Sequence, residues 1–184
     1  MTEFHRADRA SSSTDADCAQ CSAIVTASGI AGAVAWLNAR TRFRFTGLYQ
    51  VDPPHLRNVV LFDRENPDVN VSGEVTNLDD TYCAIAYKSG RFETSDALND
   101  DRLSAQVART SVISYAGVAM RLANGHVWGT LCHFDVRPRF LPHGERSLLE
   151  SVASVFIAFM QPADLTDAAF TARSARAPRG SVAQ

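Results

Sequence analysis

Four cysteines, at positions 18, 21, 83 and 132, are the residues best suited to covalent chemistry, and their surroundings decide which chemistry is open to them. Cys18-x-x-Cys21 has the spacing of half a zinc site, but no second pair accompanies it, and a closed structural site needs four ligands. Cys132, His133, Asp135 and His143 form another metal-like group. Neighbouring strand residues point to opposite faces, so Cys132 and His133 cannot share one ion, and no metal is expected. Thiol catalysis by Cys83 or Cys132 would need a reactive thiolate and a nearby second thiol, because the sulfenic acid formed first must be reduced by another sulfur. Neither has a Lys or His beside it on its own face, and His133 points away from Cys132. The default is that both are small buried fillers in the reduced state. Four cysteines so unevenly spaced do not make a disulfide framework of the secreted kind.

The element that must position Cys132 is the run SVISYAGVAMRLANGHVWGTLCHFD, residues 111–135. Two apolar, β-branched and aromatic segments flank Asn124-Gly125, the strongest short-range hairpin signal. With these two as the loop, Met120 faces Gly129, Ala119 faces Thr130, Gly117 faces Cys132 and Tyr115 faces Phe134. Alternation then gives two unlike faces. One carries Ala116, Val118, Met120, Leu122, Val127, Leu131 and His133, nearly all apolar and of core size. The other carries Tyr115, Gly117, Ala119, Arg121, Trp128, Thr130, Cys132 and Phe134. A floor of small residues inside a bulky rim can leave a hollow of the kind that takes small ligands.

Around this hairpin, the spacing of apolar residues predicts a helix over 21–40, weakened by Gly29 and Gly32. It also predicts strands over 43–49 and 57–63 joined by Asp52-Pro53-Pro54. A short helix over 81–88 closed by Ser89-Gly90 follows, then a strand over 91–95, a short helix within 96–109, and a final helix over 145–160. Residues 64–77 read as polar and irregular. The first 20 residues and residues 162–184 are polar, small and Pro-containing, and are expected to be a disordered leader and tail around a domain spanning 21–161. This order of elements is that of an α+β domain with an antiparallel sheet of five to six strands.

A chain of 184 residues is one domain's worth, with a net charge of -2 and a pI near 6.2. Its 18 basic residues are scattered, which gives no electrostatic case for nucleic acid or an anionic membrane. No stretch is read as approaching the roughly 20 apolar residues of a membrane span, and the N-terminus lacks a secretory core, so a cytoplasmic protein is expected.

The stretch from residue 81 to 149 resembles the GAF family. The resemblance is carried by Tyr82-Cys83 on a short helix, Asp96 after the next strand, Tyr115-Ala116-Gly117-Val118 opening the hairpin, Gly129-Thr130-Leu131-Cys132 closing it, and then Asp135 and Arg137-Pro138-Arg139. It implies a PAS-related α+β fold: a central antiparallel sheet, terminal helices on one face, and short helices covering a ligand pocket on the other, often in a dimer. Val127 to His133 is also similar to the closing strand of phytochrome-type domains. A covalently attached bilin is excluded, because the stretch 107–111 that would carry its cysteine has none.

The resemblance implies a stand-alone sensory domain that binds a small molecule noncovalently, with no identifiable cofactor. The candidate contacts are Thr81, Phe92, Asp96, Tyr115, Arg121, Trp128, Thr130 and Cys132: Arg121 for an anionic group, Thr81 and Thr130 as hydroxyls, and Tyr115, Phe92 and Trp128 as stacking rings. Asp96 has the competing role of capping the following helix. No kinase, cyclase or DNA-binding segment follows the last helix, so output is expected through a homodimer or signalling partner on the apolar face of helix 145–160, with Phe156 at its centre. The alternative is an enzyme, a thiol-dependent reductase of the free methionine sulfoxide type with Cys83 and Cys132 as its catalytic pair. The cysteine spacing of that group is not reproduced here.

Overall fold

Six segments pair into one antiparallel sheet, seen in a computed structural model that describes residues 4–69 and 72–160. The strands are β1 (Phe45–Asp52), β2 (His55–Asp63), β3 (Val75–Asn77), β4 (Arg91–Thr94), β5 (Ser114–Arg121) and β6 (Val127–Asp135), in the spatial order β3-β2-β1-β6-β5-β4. The expected strands are present, somewhat longer in β1 and β2. β3 is an addition inside the segment expected to be irregular; all three of its residues are exposed, so it carries no alternating pattern to read.

Helices α1 (Phe4–Ala39) and α3 (Glu145–Phe159) cover one face of the sheet. The core there contains Val25, Val34 and Leu37 of α1, Leu148, Leu149, Val152 and Phe156 of α3, and Leu48, Val118, Met120 and Leu131 from the sheet. The opposite face is covered by α2 (Cys83–Ser89) and single turns of 3-10 helix at 78–80, 97–99, 101–103 and 107–110, around Leu56, Leu78, Tyr82, Leu103, Tyr115 and Cys132. Gly90, at φ 88°, ends α2 in the left-handed conformation that a side chain would disfavour.

Three expectations are corrected. The helix predicted from residue 21 begins at Phe4, so most of the expected leader is helical; Asp17 pairs with Arg40 at 3.1 Å and Cys21 is fully buried. Gly29 interrupts this helix with φ 71°. The expected tail, 162–184, lies outside the described residues. Helix residues Thr14–Ala39 are long and apolar enough by composition to cross a membrane, contrary to the sequence reading, although here Cys21, Val25, Ala33, Val34 and Leu37 are packed into the domain. Finally, Phe156 is fully buried against α1 and the sheet, so the apolar face of α3 is already occupied; the aromatic that α3 exposes is Phe159.

Polar latches hold the helical layer in register. Asn38, near the end of α1, donates from its amide to the Phe43 carbonyl at 3.1 Å and to Thr46 Oγ1 at 2.9 Å. Arg64 reaches back from beyond β2 to donate to Asn38 Oδ1 at 3.0 Å and to the Thr41 carbonyl at 2.7 Å, satisfying acceptors left open where the helix ends. Thr46 in turn shares a 2.7 Å hydrogen bond with His133 Nδ1. His133 is fully buried against the Phe43 ring, and desolvation lowers its pKa to about 3.

The hairpin departs from the expected register by one residue at its tip. The loop is three residues long: Leu122 N–H bonds to the His126 carbonyl at 2.8 Å, with Gly125 at φ 85°. One extra residue in β6, between the Arg121–Val127 and Met120–Gly129 pairs, compensates for it. From Met120 onward the expected pairs, Ala119–Thr130, Gly117–Cys132 and Tyr115–Phe134, are all observed. The residue displaced by this bulge is Trp128, which turns into the core under the helices instead of onto the hollow face.

Two predictions follow from this packing. A Cβ at Gly129 would overlap the Tyr49 backbone carbonyl, an atom that cannot rotate away. Gly129→Ala is expected to lose about 1–3 kcal/mol in urea unfolding, as overpacking does. For His133, an unfolded imidazole titrates near 6.5 while the folded one stays neutral down to about 3. The unfolded state therefore binds the extra proton between these values. Stability should fall as pH drops from about 6.5 towards 3, by at most about 1.4 kcal/mol per pH unit for this group. Urea melts across that range, compared with His133→Asn, isolate its share.

Candidate functional site

Gly47 of β1, Cys132 of β6 and Gly117 of β5 lie in one row across the three central strands, since Gly47 and Gly117 both pair with Cys132. The missing side chains are filled by rings from two residues away. A Cβ at Gly47 would overlap the Tyr49 ring, and one at Gly117 the Tyr115 hydroxyl. The two tyrosines thus lean over the sheet from opposite sides of Cys132. Above them sits α2, whose first residue is Cys83.

Between this floor and the short helices lies a cavity of about 530 Å³. Its walls include Tyr49, Leu56, Leu61, Thr81, Cys83, Val112, Tyr115, Cys132 and Phe134. Glu74 and Asp80 are the charged residues lining it, so its fixed charge is acidic.

The polar groups of the cavity converge on one sulfur. Tyr115 donates its hydroxyl to Cys83 Sγ at 3.5 Å. The Cys132 thiol is the strongest of the hydrogen-bonding groups around Cys83, joined by Thr130 and Tyr115, and together they lower the Cys83 pKa despite its burial. The Thr130 hydroxyl is buried beside them and has no hydrogen-bond partner among the described residues, so its proton is free to turn to the Cys83 sulfur. Cys132 moves the opposite way: burial, and then its neighbour Cys83, push its thiol up. Burial likewise raises Tyr49 and Tyr115, so both phenols stay neutral. Hydroxyl and thiol donors thus replace the Lys or His that sequence reading sought as an activator.

Of the residues expected at the site, Thr81, Tyr115 and Cys132 line this cavity, as does Cys83, while Thr130 lies beside it next to the Cys83 sulfur. Thr81 donates its one hydroxyl proton to the Leu78 carbonyl at 2.8 Å, so towards the cavity its oxygen acts as an acceptor. Phe92 stands behind the wall, with its ring 5.8 Å from that of Tyr82 and 6.2 Å from that of Tyr115. Asp96 takes the capping role, accepting from Leu98 N–H at 3.2 Å and from the Asn99 amide at 2.7 Å. Arg121 is exposed at the hairpin end and meets the Gly125 carbonyl, away from the cavity, and Trp128 is on the other side of the sheet. Phe92 and Asp96 instead border a second groove, of about 810 Å³, along β4. Its Arg102 and Arg146 are engaged by Asp100 and Glu93.

Tyr49 is the main wall residue the sequence reading missed. Its signal was present: Gly47-x-Tyr49 has the same glycine–aromatic spacing as Tyr115-x-Gly117, which places ring and gap on one face of a strand. Cys132 and His133 do fall on opposite faces, one on the cavity floor and the other beneath α1.

The sequence matches the model of the GAF domain over residues 7–157, a match that starts inside α1 and ahead of the boundary expected at residue 21. No curated protein matches the sequence. Among solved structures, the GAF domain of an Acinetobacter phosphoenolpyruvate-protein phosphotransferase superposes with a TM-score of 0.63 at 11% identity, covering 87% of this chain and 97% of that one. A phycocyanobilin-bound GAF domain from a cyanobacterial phytochrome gives 0.58 at 15% identity, over 79% and 92% of the two chains. A free methionine-R-sulfoxide reductase from Neisseria meningitidis, solved in complex with its substrate, gives 0.57 at 16% identity, over 77% and 86%. At such identities these likenesses speak for the fold, as does the order of strands and helices around the cavity. The family model spans most of the sequence, and the chain belongs to the GAF domain family.

Proposed function

We propose that this domain is a cytoplasmic sensory module that holds a small, largely apolar molecule in the cavity between the sheet and α2. The observation that carries this reading is the cavity of about 530 Å³ over the Gly47–Cys132–Gly117 row, with mainly apolar walls and a few convergent hydroxyls and thiols. Its charged lining, Glu74 and Asp80, favours a neutral or cationic ligand. That departs from the anionic ligand that Arg121 would have served.

Output is proposed to pass through the helical layer to a second copy or a signalling partner. The outward side of α1 presents Ala19, Ala23, Ala27 and Ala31, and residues 18–39 include no charged side chain.

A second reading, a thiol-dependent reductase of free sulfoxides, is supported by Cys83 and Cys132 sharing the cavity. Against it, no cationic side chain lines the cavity to hold the carboxylate of a free amino acid. Loss of free methionine sulfoxide consumption in Cys132→Ser would support the enzyme, and activity surviving in that variant would eliminate it.

The sensory reading is tested by native mass spectrometry of protein purified from its own cells. A bound small molecule is expected in the wild type and absent in Val112→Trp, which fills the cavity from a partly exposed wall position, while the circular dichroism spectrum stays that of the folded domain. An empty wild-type protein, or an adduct untouched by Val112→Trp, would overturn it.

A further inference from the structure

Two thiols line the cavity, Cys132 on its sheet floor and Cys83 on α2 above it, and noncovalent ligand binding uses them only as wall. Cys83 comes from the start of α2 and Cys132 from the middle of β6; they are distant in sequence and within hydrogen-bonding reach in space, with the Tyr115 hydroxyl against both. The strands leave room for this meeting because Cys132 is flanked by two glycines, and any larger pair would close the floor with side chains. Both cysteines line the cavity, Cys83 at its edge with 4% of its surface exposed and Cys132 fully buried behind it, and the cavity opens to solvent.

We propose that Cys83 and Cys132 form a reversible disulfide made by neutral hydroperoxides that enter this cavity. Cys83 is the attacking sulfur. Its thiolate displaces on the terminal peroxide oxygen: the S–O bond forms as the O–O bond breaks, and the leaving alkoxide takes up, through water, the proton that the Cys83 thiol gave up on ionising. Sulfur is oxidised to sulfenic acid and the peroxide is reduced to an alcohol, or to water where the oxidant is hydrogen peroxide. The Cys132 sulfur then attacks the Cys83 sulfur. The S–S bond forms, the S–OH bond breaks, and hydroxide leaves with the Cys132 proton as water. Two thiols and one hydroperoxide have become a disulfide, an alcohol and a water. A dithiol reductant reverses the state by exchange through a mixed disulfide.

Three features select this pair and this oxidant class. The hydrogen-bonding groups around Cys83 favour its thiolate, while the raised pKa of Cys132 suits a second thiol that waits for the sulfenic acid. The other two cysteines are held protonated: at Cys18 burial outweighs the hydrogen bond with Ser151, and burial pushes Cys21 up to about 11. A neutral peroxide needs no counter-charge in a cavity whose charged lining is acidic, unlike a carboxylate-bearing substrate. The inference does not depend on a resident ligand, so it stands or falls separately from the sensory reading.

The test uses the full chain, reduced and freed of reductant, and treated with hydrogen peroxide near pH 7. Intact mass is expected to fall by two hydrogens. Peptide mapping without reduction should join the Cys83 and Cys132 peptides, and dithiothreitol should separate them. Cys132→Ser should stop at a sulfenic acid on Cys83, trapped by dimedone. Cys83→Ser should slow peroxide consumption by about tenfold or more, since the thiols that remain are all held towards the protonated form by burial. Tyr115→Phe keeps the ring and removes the hydroxyl, and should slow the oxidation without a change in melting temperature, a readout that does not require either cysteine variant to fold. A Cys18–Cys21 crosslink with Cys83 and Cys132 still reduced would overturn the proposal. So would peroxide consumption no faster than that of free cysteine.

Discussion

The row Gly47–Cys132–Gly117 is the constraint from which the cavity follows. A sheet face of ordinary side chains packed by helices closes at native density and leaves no hollow. Here the three central strands contribute two glycines and a small thiol at one level, so the floor is low. The tyrosines that lean over the glycines fill part of the gap while keeping their hydroxyls pointed inward. α2 can then cross above Cys132 with another cysteine facing down. A side chain at Gly47 or Gly117 would displace the tyrosine that shapes the wall, whereas one at Gly129 would strike backbone. The glycines of the sheet therefore do different work, some shaping the site and one permitting the strands to meet.

The other face works by the opposite rule. Under α1 and α3 the sheet presents Leu48, Val118, Met120 and Leu131, all fully or nearly fully buried, so the space is filled and the helices are fixed by packing. Polar contacts on that side set register: Asn38, Thr46, His133 and Arg64 tie the end of α1 to β1 and β6. The same strands, read at alternate residues, thus supply a rigid side and an open side. His133 and Cys132, adjacent in sequence, show the division most plainly, since one is locked into the helix-side network and the other lies on the cavity floor.

Much of this was legible in the sequence. Asn124-Gly125 with its apolar flanks marked the hairpin, and period-two alternation assigned Tyr115, Gly117 and Cys132 to one face and Val118, Met120 and Leu131 to the other. The turn has three residues instead of two, and the bulge that absorbs the difference is a backbone event with no composition of its own, so Trp128 was assigned to the wrong side. The correspondence of Gly47 with Cys132 was hidden because it pairs strands far apart in the chain, and Tyr49 was missed with it. Arg121 had the chemistry of an anion partner, but a side chain at a hairpin end projects past the sheet. The start of α1 was hidden by composition, because Ser, Asp and Ala serve an exposed helix surface as readily as a disordered segment.

The two proposals for the cavity draw on the same donors, and this couples them. If Tyr115 and Thr130 hold the Cys83 thiolate, a ligand that accepts hydrogen bonds from them takes that support away and raises the thiol's pKa. By reciprocity, whatever favours the thiolate weakens such a ligand by the same free energy, and a disulfide, which removes the anion altogether, returns the donors to the ligand. The buried phenols cannot make up the difference by ionising, since burial holds both well above their ordinary pKa. Nor can Glu74 or Asp80, which are acceptors when ionised. A cavity with one good anion site and few donors makes occupancy and redox state competing claims on the same hydroxyls, and Cys83 is where they meet.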